Sequence, residues 1–412
     1  MRAEPLRILY LSNAFPPGVT GRFPSLNPAG HATETRFVQA LSRIATIKTV
    51  GHLPAEVRSR LDPRDDSFGL DHELLLWEGR TRAWHDWIAW RQLRHFYLRA
   101  TLSSAPPDVV LVRNLSPVFN QFVRWLRPQH PRPAIVLVLA DSSTLGLSVP
   151  FSRRLRYRFK PMQWMDDVAI KWYDACIGFG LQTRRFFEPN RVPWMWMPSA
   201  PNFPYAPPST QPIRSGPIRF GYFGSLAEHA AVLPTVQTFL DSKVQGSLHM
   251  CGFGKSSDRL AALAARHSNF CFDGLLQRQS DCLDWAQKVD VLINPRLPIW
   301  GLENSFPSKI FEYGVTGRAI LTTRTGGVDQ ILGEEGVYLE TEDFTKSLGQ
   351  KLTDLSKMDR AQLDVRGAAI RDRLQSQFNW DIQAGRMVRF LDTLVDRAPT
   401  LDPLQVMSRV EC

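Results

Sequence analysis

The chain has 412 residues, which is enough for two domains of about 200 residues each. An apolar share of 43% with 22% charged residues is typical of a globular protein and argues against a disordered or fibrous one. The net charge of +10 is uneven, because residues 1–200 carry 27 Lys or Arg against 16 Asp or Glu, and residues 201–412 carry 23 against 24. The basic excess therefore belongs to the first half and indicates an anionic partner for that half alone.

The cysteines and histidines argue against a metal or disulfide framework. The five cysteines are scattered and contain no CxxC pair, and the nine histidines contain no HExxH spacing. No apolar run approaches the ~20 residues of a membrane span, and the N-terminal apolar stretch is too short for a signal peptide. We expect a cytoplasmic protein without a cofactor or metal. No zinc finger, RNP or helix-turn-helix pattern is present, so we expect no nucleic-acid partner.

Short apolar runs alternate with helical stretches on both sides of a proline-rich linker. The linker, residues 198–217, holds seven prolines. The runs before it are RILYLSN, IKTVGHL, DVVLVRN, AIVLVLAD and ACIGFG, and those after it are IRFGYFG, GSLHMCG, NFCFDG, DVLINP, AILTTR and GVYLE. Unbroken apolar runs of this kind are typical of parallel strands that helices cover on both faces. We predict an α/β protein with two doubly wound domains, 1–205 and 216–378, and a terminal helix, 379–398, that packs back toward the first domain.

Polar residues and glycines follow several of these runs. Ligands in doubly wound sheets bind beyond the carboxyl ends of the strands, so these residues are candidates for a cleft between the two domains. Turn preferences of Asn and Asp explain the same pattern without a ligand. The candidates are Ser12, Asn13, Arg113, Asn114, Asp141, Gly224, Gly252, Gly274, Pro295 and Arg296.

The stretch NSFPSKIFEYGVTGRAILTTRTGG, residues 304–327, predicts a helix followed by a buried strand. Ser305 is a fair N-cap, the helix would span 308–315, and the strand would span 319–323. Lys309 stands beside the unpaired N–H groups of the first turn, which favours an anion such as phosphate. Glu312 follows one turn later, where a carboxylate can accept hydrogen bonds from a diol such as a ribose. An ordinary Lys–Glu surface pair is the alternative.

Two stretches of the first half mix basic and aromatic residues. They are residues 84–99 and 151–172, and the second contains Arg153, Arg154, Arg156, Arg158 and Lys160. Basic aromatic segments bind anionic bilayers, so we predict a membrane surface as a partner of 151–172. The alternative is that the apolar residues pack on the first sheet and the arginines are only solvated.

The order of these segments resembles the retaining nucleotide-sugar glycosyltransferases of the GT-B fold, of the glycosyl transferases group 1 type. The likeness runs from RILYLSNAFPP and AGHATETRFVQALSR, through RFGYFGSL, LHMCGFGK, FCFDGLL and DVLINPR, to the terminal FNW helix. It extends to about residue 395 and is weak over 52–107. Its specific part is the FPSKIFEY block. The resemblance implies two Rossmann-like domains that face each other across a cleft.

The resemblance also implies roles for individual residues. Glu312 would bind the nucleotide ribose, and Lys309 would hold the donor pyrophosphate and stabilise the departing diphosphate without a metal. The backbone amides of Ser305, Phe306 and Ser308 would assist Lys309, near Gly224. The residues that would line the base pocket are Phe272, Asp273, Gly274 and Leu275.

In the first domain, the resemblance implies that Gly30 lets a loop approach the donor phosphates. His31 would stand beside these phosphates, and Asp141 is a further catalytic candidate at a strand end. The implied reaction transfers a sugar, with retention, from a nucleotide-sugar donor to a glycan or lipid-linked acceptor. This places the enzyme in the cytoplasm or on the inner face of a membrane.

Two departures from the family pattern leave a second hypothesis open. Asn304 stands where the family has a glutamate that meets the donor sugar, with Glu303 one residue away. After Gly224, where many members have a base, the chain offers only Glu228 and His229. Lys309, Lys255 and Arg296 would have to supply the positive charge. The alternative is a catalytically silent relative that binds a sugar nucleotide or a glycan.

Overall fold

The computed structural model describes residues 4–12, 28–52, 72–75, 82–103, 105–129, 132–140, 168–205, 216–276, 278–297 and 306–395. The chain divides into two compact units. Unit 1 comprises Met1–Pro198 and Trp380–Cys412, and unit 2 comprises Ser199–Asn379.

Unit 1 is built on a seven-stranded parallel sheet of order β3-β2-β1-β4-β5-β6-β7. Its strands are β1 (Arg7–Ser12), β2 (Thr46–His52), β3 (His72–Leu75), β4 (Val109–Arg113), β5 (Ala134–Leu139), β6 (Ala175–Gly178) and β7 (Trp194–Trp196). In the register, Ile8 of β1 lies opposite Ile47 of β2 and Val109 of β4. The strand order reverses between β1 and β4, and such a switch point is where doubly wound sheets open a crevice.

Four helices of unit 1 follow its strands: α1 (Pro28–Leu41), α2 (Arg82–Ser103), α3 (Pro117–Leu126) and α4 (Arg184–Phe187). Helix α3 illustrates why they form where they do. Ser116 accepts a hydrogen bond from the Phe119 amide at 3.2 Å, and Pro117 occupies the first turn, where its missing N–H costs nothing. Phe119 and Phe122 are buried against Val110 and Val112 of β4, so the apolar face of α3 closes the core.

Unit 2 has a six-stranded parallel sheet of order β10-β9-β8-β11-β12-β13. Its strands are β8 (Ile218–Ser225), β9 (Gly246–Phe253), β10 (Phe270–Phe272), β11 (Val291–Asn294), β12 (Ala319–Thr323) and β13 (Val337–Leu339). Its helices are α5 (Val232–Asp241), α6 (Ser257–Ala264), α7 (Gln279–Ala286), α8 (Lys309–Gly314), α9 (Val328–Leu332), α10 (Phe344–Ser356) and α11 (Arg360–Gln377). Here the strand order reverses between β8 and β11.

The last described helix, α12 (Trp380–Val395), packs on α1 within unit 1. The ring of Trp380 meets Phe37 edge-on at 6.3 Å, and Arg43 pairs with Asp381 at 2.6 Å. Arg386 donates to the Trp196 carbonyl at 3.2 Å and so ties α12 to β7. No helix among the described residues is both long and apolar enough to cross a membrane.

The predicted α/β class is confirmed, since both sheets are entirely parallel and every predicted apolar run contains a strand. Strands β3 and β7 were not predicted. Helix α8 begins at Lys309, one residue later than predicted, and ends at Gly314. Residues 199–205, which we assigned to the first domain, fall within unit 2, where Phe203 stacks on Phe223 with ring centroids 6.4 Å apart.

A substitution at Gly367 tests how closely α11 packs on the sheet of unit 2. Alanine is the better helix former by about 1 kcal/mol. A Cβ at this position, however, would lie 2.0 Å from the Gly317 carbonyl oxygen, and backbone cannot easily move away. We expect Gly367→Ala to lower the unfolding free energy by about 1–3 kcal/mol, the cost of overpacking. The measurement is calorimetric unfolding.

Gly385→Ala is the matched control for this prediction. It also lies inside a helix, but its added Cβ would be 3.6 Å from Arg389 Nη1, which is an ordinary contact. We expect this variant to be as stable as the wild type or more so. Equal stabilisation by both substitutions would contradict the close packing of α11.

Candidate functional site

Helix α8 is held at a defined depth against strand β8 by Tyr313. The Tyr313 hydroxyl donates to the Phe223 carbonyl at 2.9 Å and accepts from the Phe223 amide at 3.1 Å. Its ring packs on the Phe223 ring with centroids 4.6 Å apart, and the side chain is fully buried. Every other side chain of α8 therefore has a defined position relative to the carboxyl end of β8, next to the switch point of unit 2.

Lys309, the first residue of α8, lies over this strand end. Its ammonium group donates to the Tyr222 hydroxyl at 2.5 Å and lies 3.4 Å from the Ser225 carbonyl oxygen. The ammonium nitrogen is also 4.6 Å from the centroid of the Tyr222 ring. Tyr222, fully buried in β8, thus holds the ammonium by a hydrogen bond and by a cation–π contact.

Gly224 makes room for the Lys309 side chain. A Cβ at Gly224 would lie 2.5 Å from Lys309 Cε, and the residue has a φ of +134°, which side chains rarely adopt. The glycine that we predicted at this strand end is therefore required by the lysine that lies above it.

Burial and a neighbouring cation lower the pKa of Lys309 to about 7. Burial is the main cause, the positive charge of Arg296 adds to it, and Glu312 opposes both. Arg296 follows β11 on the other side of the switch point. Its amide donates to Thr323 Oγ1 at 2.9 Å, which fixes the backbone there. Two basic side chains, one from α8 and one from the segment after β11, therefore lie near the switch point, where their charge favours an anion.

Glu312 lies one helical turn after Lys309 and is buried, with 9% of its surface exposed. Burial raises the pKa of this carboxyl to about 7, against the opposing effects of a backbone hydrogen bond, of Lys309 and of a hydrogen bond with Asn202. Among the described residues, its Oε2 atom has no hydrogen-bond partner. A buried carboxyl oxygen without a partner is costly, so Oε2 is a candidate acceptor for a hydrogen bond from a ligand.

The predicted base-pocket loop follows β10. The Gly252 amide donates to the Gly274 carbonyl at 2.7 Å, and Trp285 Nε1 donates to Asp273 at 2.7 Å. Gly274 has a φ of +70°, and Leu275 is half exposed beyond it. The loop is thus fixed at both flanks and presents an apolar side chain to solvent.

The other predicted site residues lie at several places along the chain. Phe306 packs against Phe311 of α8 at 5.4 Å and precedes the helix as predicted. Ser308, which we predicted as the first helical residue, is the N-cap of α8, and its amide donates to the Phe306 carbonyl at 3.0 Å. Lys255 lies on an exposed turn after β9. Asn304, Ser305 and Asp141 are outside the described residues. Gly30 and His31 lie in the first turn of α1.

Ser12 and Arg113, which we predicted at strand ends, lie with Glu34 in a buried polar cluster at the switch point of unit 1. Glu34 of α1 pairs with Arg113 Nε of β4 at 3.0 Å and accepts a hydrogen bond from Ser12 of β1. The Arg113 guanidinium lies 4.7 Å over the ring of Phe179. Glu34 lies in the second turn of α1. The cluster ties α1 to the two strands at the switch point.

Within the described residues, no group of three His, Cys, Asp or Glu side chains is arranged to hold a metal ion. The residues that converge on the switch point of unit 2 are instead Tyr222, Gly224, Arg296, Lys309 and Glu312. Sequence analysis did not identify Tyr222, because its role depends on a contact with Lys309, 87 positions away in the chain.

Comparisons with known proteins agree with this arrangement. Residues 217–358 match the family model "Glycosyl transferases group 1". The comparison with curated proteins gave no match.

Solved structures match almost the whole chain. A glycosyltransferase from Rickettsia africae is 12% identical, with a TM-score of 0.65 over 95% of this chain and 100% of that one. Anabaena Alr3699/HepE, in complex with UDP and glucose, is 11% identical, with a TM-score of 0.62 over 94% and 100%. Sucrose-phosphate synthase from Thermosynechococcus elongatus is 14% identical, with a TM-score of 0.63 over 94% and 99%. The chain therefore has the GT-B fold, and its residues 217–358 are similar to the Glycosyl transferases group 1 family.

Proposed function

We propose that the protein is a glycosyltransferase that moves a sugar from a nucleotide-diphosphate donor to a glycan or lipid-linked acceptor, with retention of configuration. The observation that carries the proposal is the pairing, on one anchored helix, of a convergent cation and a buried carboxylate with an unpaired oxygen. Lys309 and Glu312 are one turn apart, which matches a ligand with adjoining phosphate and diol groups. The UDP in the Anabaena Alr3699/HepE structure supports a nucleotide donor.

In this proposal, the chemistry is electrostatic. When the bond between the sugar and the diphosphate breaks, negative charge develops on the leaving diphosphate. Lys309 and Arg296 stand where that charge would accumulate, in a buried site where the effective dielectric is low. Tyr222 and Tyr313 fix the lysine beforehand, so little reorganisation is needed during the reaction. This mechanism needs no metal, and donor turnover that is unaffected by a chelator would test that expectation.

The acceptor side of the proposal rests on unit 1. His31 and Asp141 are the proposed catalytic groups of that unit, and Asn304 or Glu303 is the proposed contact of the donor sugar. The basic excess of residues 1–200 favours an acceptor that is anionic or is held at an anionic surface. We therefore propose a cytoplasmic enzyme that binds the inner face of a membrane. Of the segment 151–172, only residues 168–172 are described.

A catalytically silent, ligand-binding relative is the second candidate. It is favoured by the loop after Gly224, which carries Glu228 and His229 in place of a basic residue. Calorimetric titration with UDP-glucose and GDP-mannose, followed by assays of donor hydrolysis and sugar transfer, separates the two candidates. Donor turnover supports the enzyme. Donor binding without turnover, across a range of acceptors, supports the silent relative.

Replacing Glu312 tests the predicted ribose contact. We expect Glu312→Ala to weaken donor binding about ten- to a hundred-fold, because loss of a hydrogen bond to a charged group costs roughly 1.5–3 kcal/mol. The measurement is titration calorimetry with the donor that binds the wild type. Glu335→Gln is the control, since Glu335 is a partly exposed acid in the same unit. Unchanged donor affinity in a folded Glu312→Ala variant would remove the ribose assignment.

Replacing Lys309 tests whether the charge acts in the transition state. We expect Lys309→Met to reduce turnover of bound donor more than it reduces donor affinity, because the diphosphate gains charge as it departs. Single-turnover kinetics and equilibrium titration separate the two effects. Lys346→Met, at an exposed position on α10, should change neither. A loss confined to donor affinity would make Lys309 a binding residue only.

The pKa values of Lys309 and Glu312 predict how donor binding depends on pH. Lys309, with a pKa of about 7, loses its charge as the pH rises above 7, so affinity for the diphosphate should fall there. Glu312, with a pKa of about 7, is protonated as the pH falls below 7, so the contact with the ribose should weaken there. We expect a bell-shaped dependence of donor affinity centred near neutral pH, governed by apparent values of the coupled pair.

The variants assign the two limbs of this profile. Lys309→Arg, which stays charged, should remove the alkaline limb, and Glu312→Gln should remove the acid limb. A nucleotide sugar is the correct probe, because its diphosphate carries no terminal ionisation in this range. A donor affinity that does not change between acid and alkaline pH would contradict the proposed charge states.

A further inference from the structure

Helix α2 has apolar side chains on the side that faces solvent. Its inner face is formed by Ala89, Leu93 and Tyr97, which are buried in the core of unit 1. On the opposite side, Trp87 and Leu98 are each 40% exposed, and they lie eleven residues apart, which is three helical turns. Contiguous exposed apolar side chains are typical of interaction surfaces, so this side of α2 is a candidate for one.

Arginines stack between the tryptophans of this surface. The Arg91 guanidinium lies 4.7 Å over the Trp87 ring, and the Arg94 guanidinium lies 5.1 Å over Trp125 of α3. The contacts continue to the next segment, where Arg124 lies 6.0 Å over Trp172. Helices α2 and α3 and residues 168–172 therefore form one continuous surface, the Trp–Arg face. Its members are Trp87, Trp90, Arg91, Arg94, Leu98, Arg124, Trp125, Arg127, Val168 and Trp172.

The charge of this face has one sign. Residues 87–101, 117–129 and 168–173 contain five arginines and one lysine and no Asp or Glu. Three acids border these ranges in sequence, Asp86, Asp167 and Asp174. Of these, Asp174 pairs with Arg132 at 2.6 Å and lies 3.8 Å from Arg127. Arg127 also donates to the Trp172 carbonyl at 2.8 Å, which keeps its side chain on the face. The surface is thus complementary to an anionic partner.

The mixture of side chains favours a bilayer over other anionic partners. Arginine binds phosphate groups through its planar fork, and tryptophan prefers the boundary between water and hydrocarbon. The aliphatic Leu98 and Val168, 40% and 37% exposed, need an apolar phase, which the phosphates of a nucleic acid do not offer. A lipid interface accepts all three kinds of side chain.

We propose that the Trp–Arg face docks the protein on an anionic lipid bilayer. The inference rests on the proposed function, because it names the surface on which unit 1 would meet a membrane-held acceptor. It differs from the predicted contact through 151–172 in assigning the main contact to α2 and α3. Donor binding in solution tests the proposed function and needs no vesicles, so the two can fail separately.

The test is vesicle flotation with the full chain. The probes are vesicles of phosphatidylcholine alone and vesicles that also contain phosphatidylglycerol, at low and at high salt. We expect the wild type to float with the anionic vesicles and salt to weaken the binding, because screening shortens the reach of the arginines. Failure of the wild type to float with anionic vesicles at low salt would overturn the proposal.

Two variants divide the contributions of charge and apolar area. Arg91→Gln with Arg94→Gln should weaken binding to anionic vesicles about 10- to 30-fold, since each basic side chain near such a surface contributes about 1 kcal/mol. Trp87→Ser with Leu98→Ser should reduce the binding that remains at high salt. These side chains are exposed, and unchanged circular dichroism and thermal unfolding would verify that the variants fold.

The matched control is Arg43→Gln with Arg184→Gln, which removes the same charge from exposed positions of unit 1 outside the face. We expect it to retain nearly all of the wild-type binding. Equal losses in the control and in the Arg91 and Arg94 variant would mean that net charge alone attracts the protein, and would overturn the proposal. Binding of a single-stranded RNA oligomer without binding of vesicles would assign the face to nucleic acid instead.

Discussion

The candidate site depends on one side chain, the hydroxyl of Tyr313, which bonds both backbone groups of Phe223. A single buried hydroxyl can act at once as donor and acceptor, so it satisfies two polar groups that the sheet leaves unpaired at that point. The consequence is geometric. Helix α8 has only six residues and cannot be held by length, so its position follows from this anchor and from its buried apolar side chains. Lys309 and Glu312 lie on α8, so the same anchor determines where they are.

The electrostatics of the site follow from the same anchoring. Burial favours the neutral form of a lysine and of a glutamate. The pKa values of about 7 for Lys309 and Glu312 reflect this cost of desolvation. Tyr222 is a hydrogen-bond partner of the buried Lys309, and Asn202 is a hydrogen-bond partner of the buried Glu312. A diphosphate and a ribose would restore the charged forms by pairing with them. In the proposed function, this pairing contributes to the free energy of donor binding.

The sequence predicted the elements whose signal is local. Strand β12 has the predicted bounds, since five apolar or β-branched residues lie between two glycine turns. Strands β3 and β7 have four and three residues, too short for a periodicity to appear, and they were missed. Glu312 and Lys309 were predicted from spacing within one helix. Tyr222 and the Glu34–Arg113 pair were not, because their partners lie 87 and 79 residues away, and only the folded sheet brings them together.

A crystal structure of the protein with a bound nucleotide tests the central claim most directly, namely that α8 holds a nucleotide donor at the switch point of unit 2. Cocrystallisation with UDP and with GDP covers the two common bases. The account predicts the diphosphate within hydrogen-bonding distance of Lys309 Nζ and the ribose hydroxyls at Glu312, with Oε2 as an acceptor. A nucleotide bound elsewhere, or one whose ribose points away from Glu312, would contradict it.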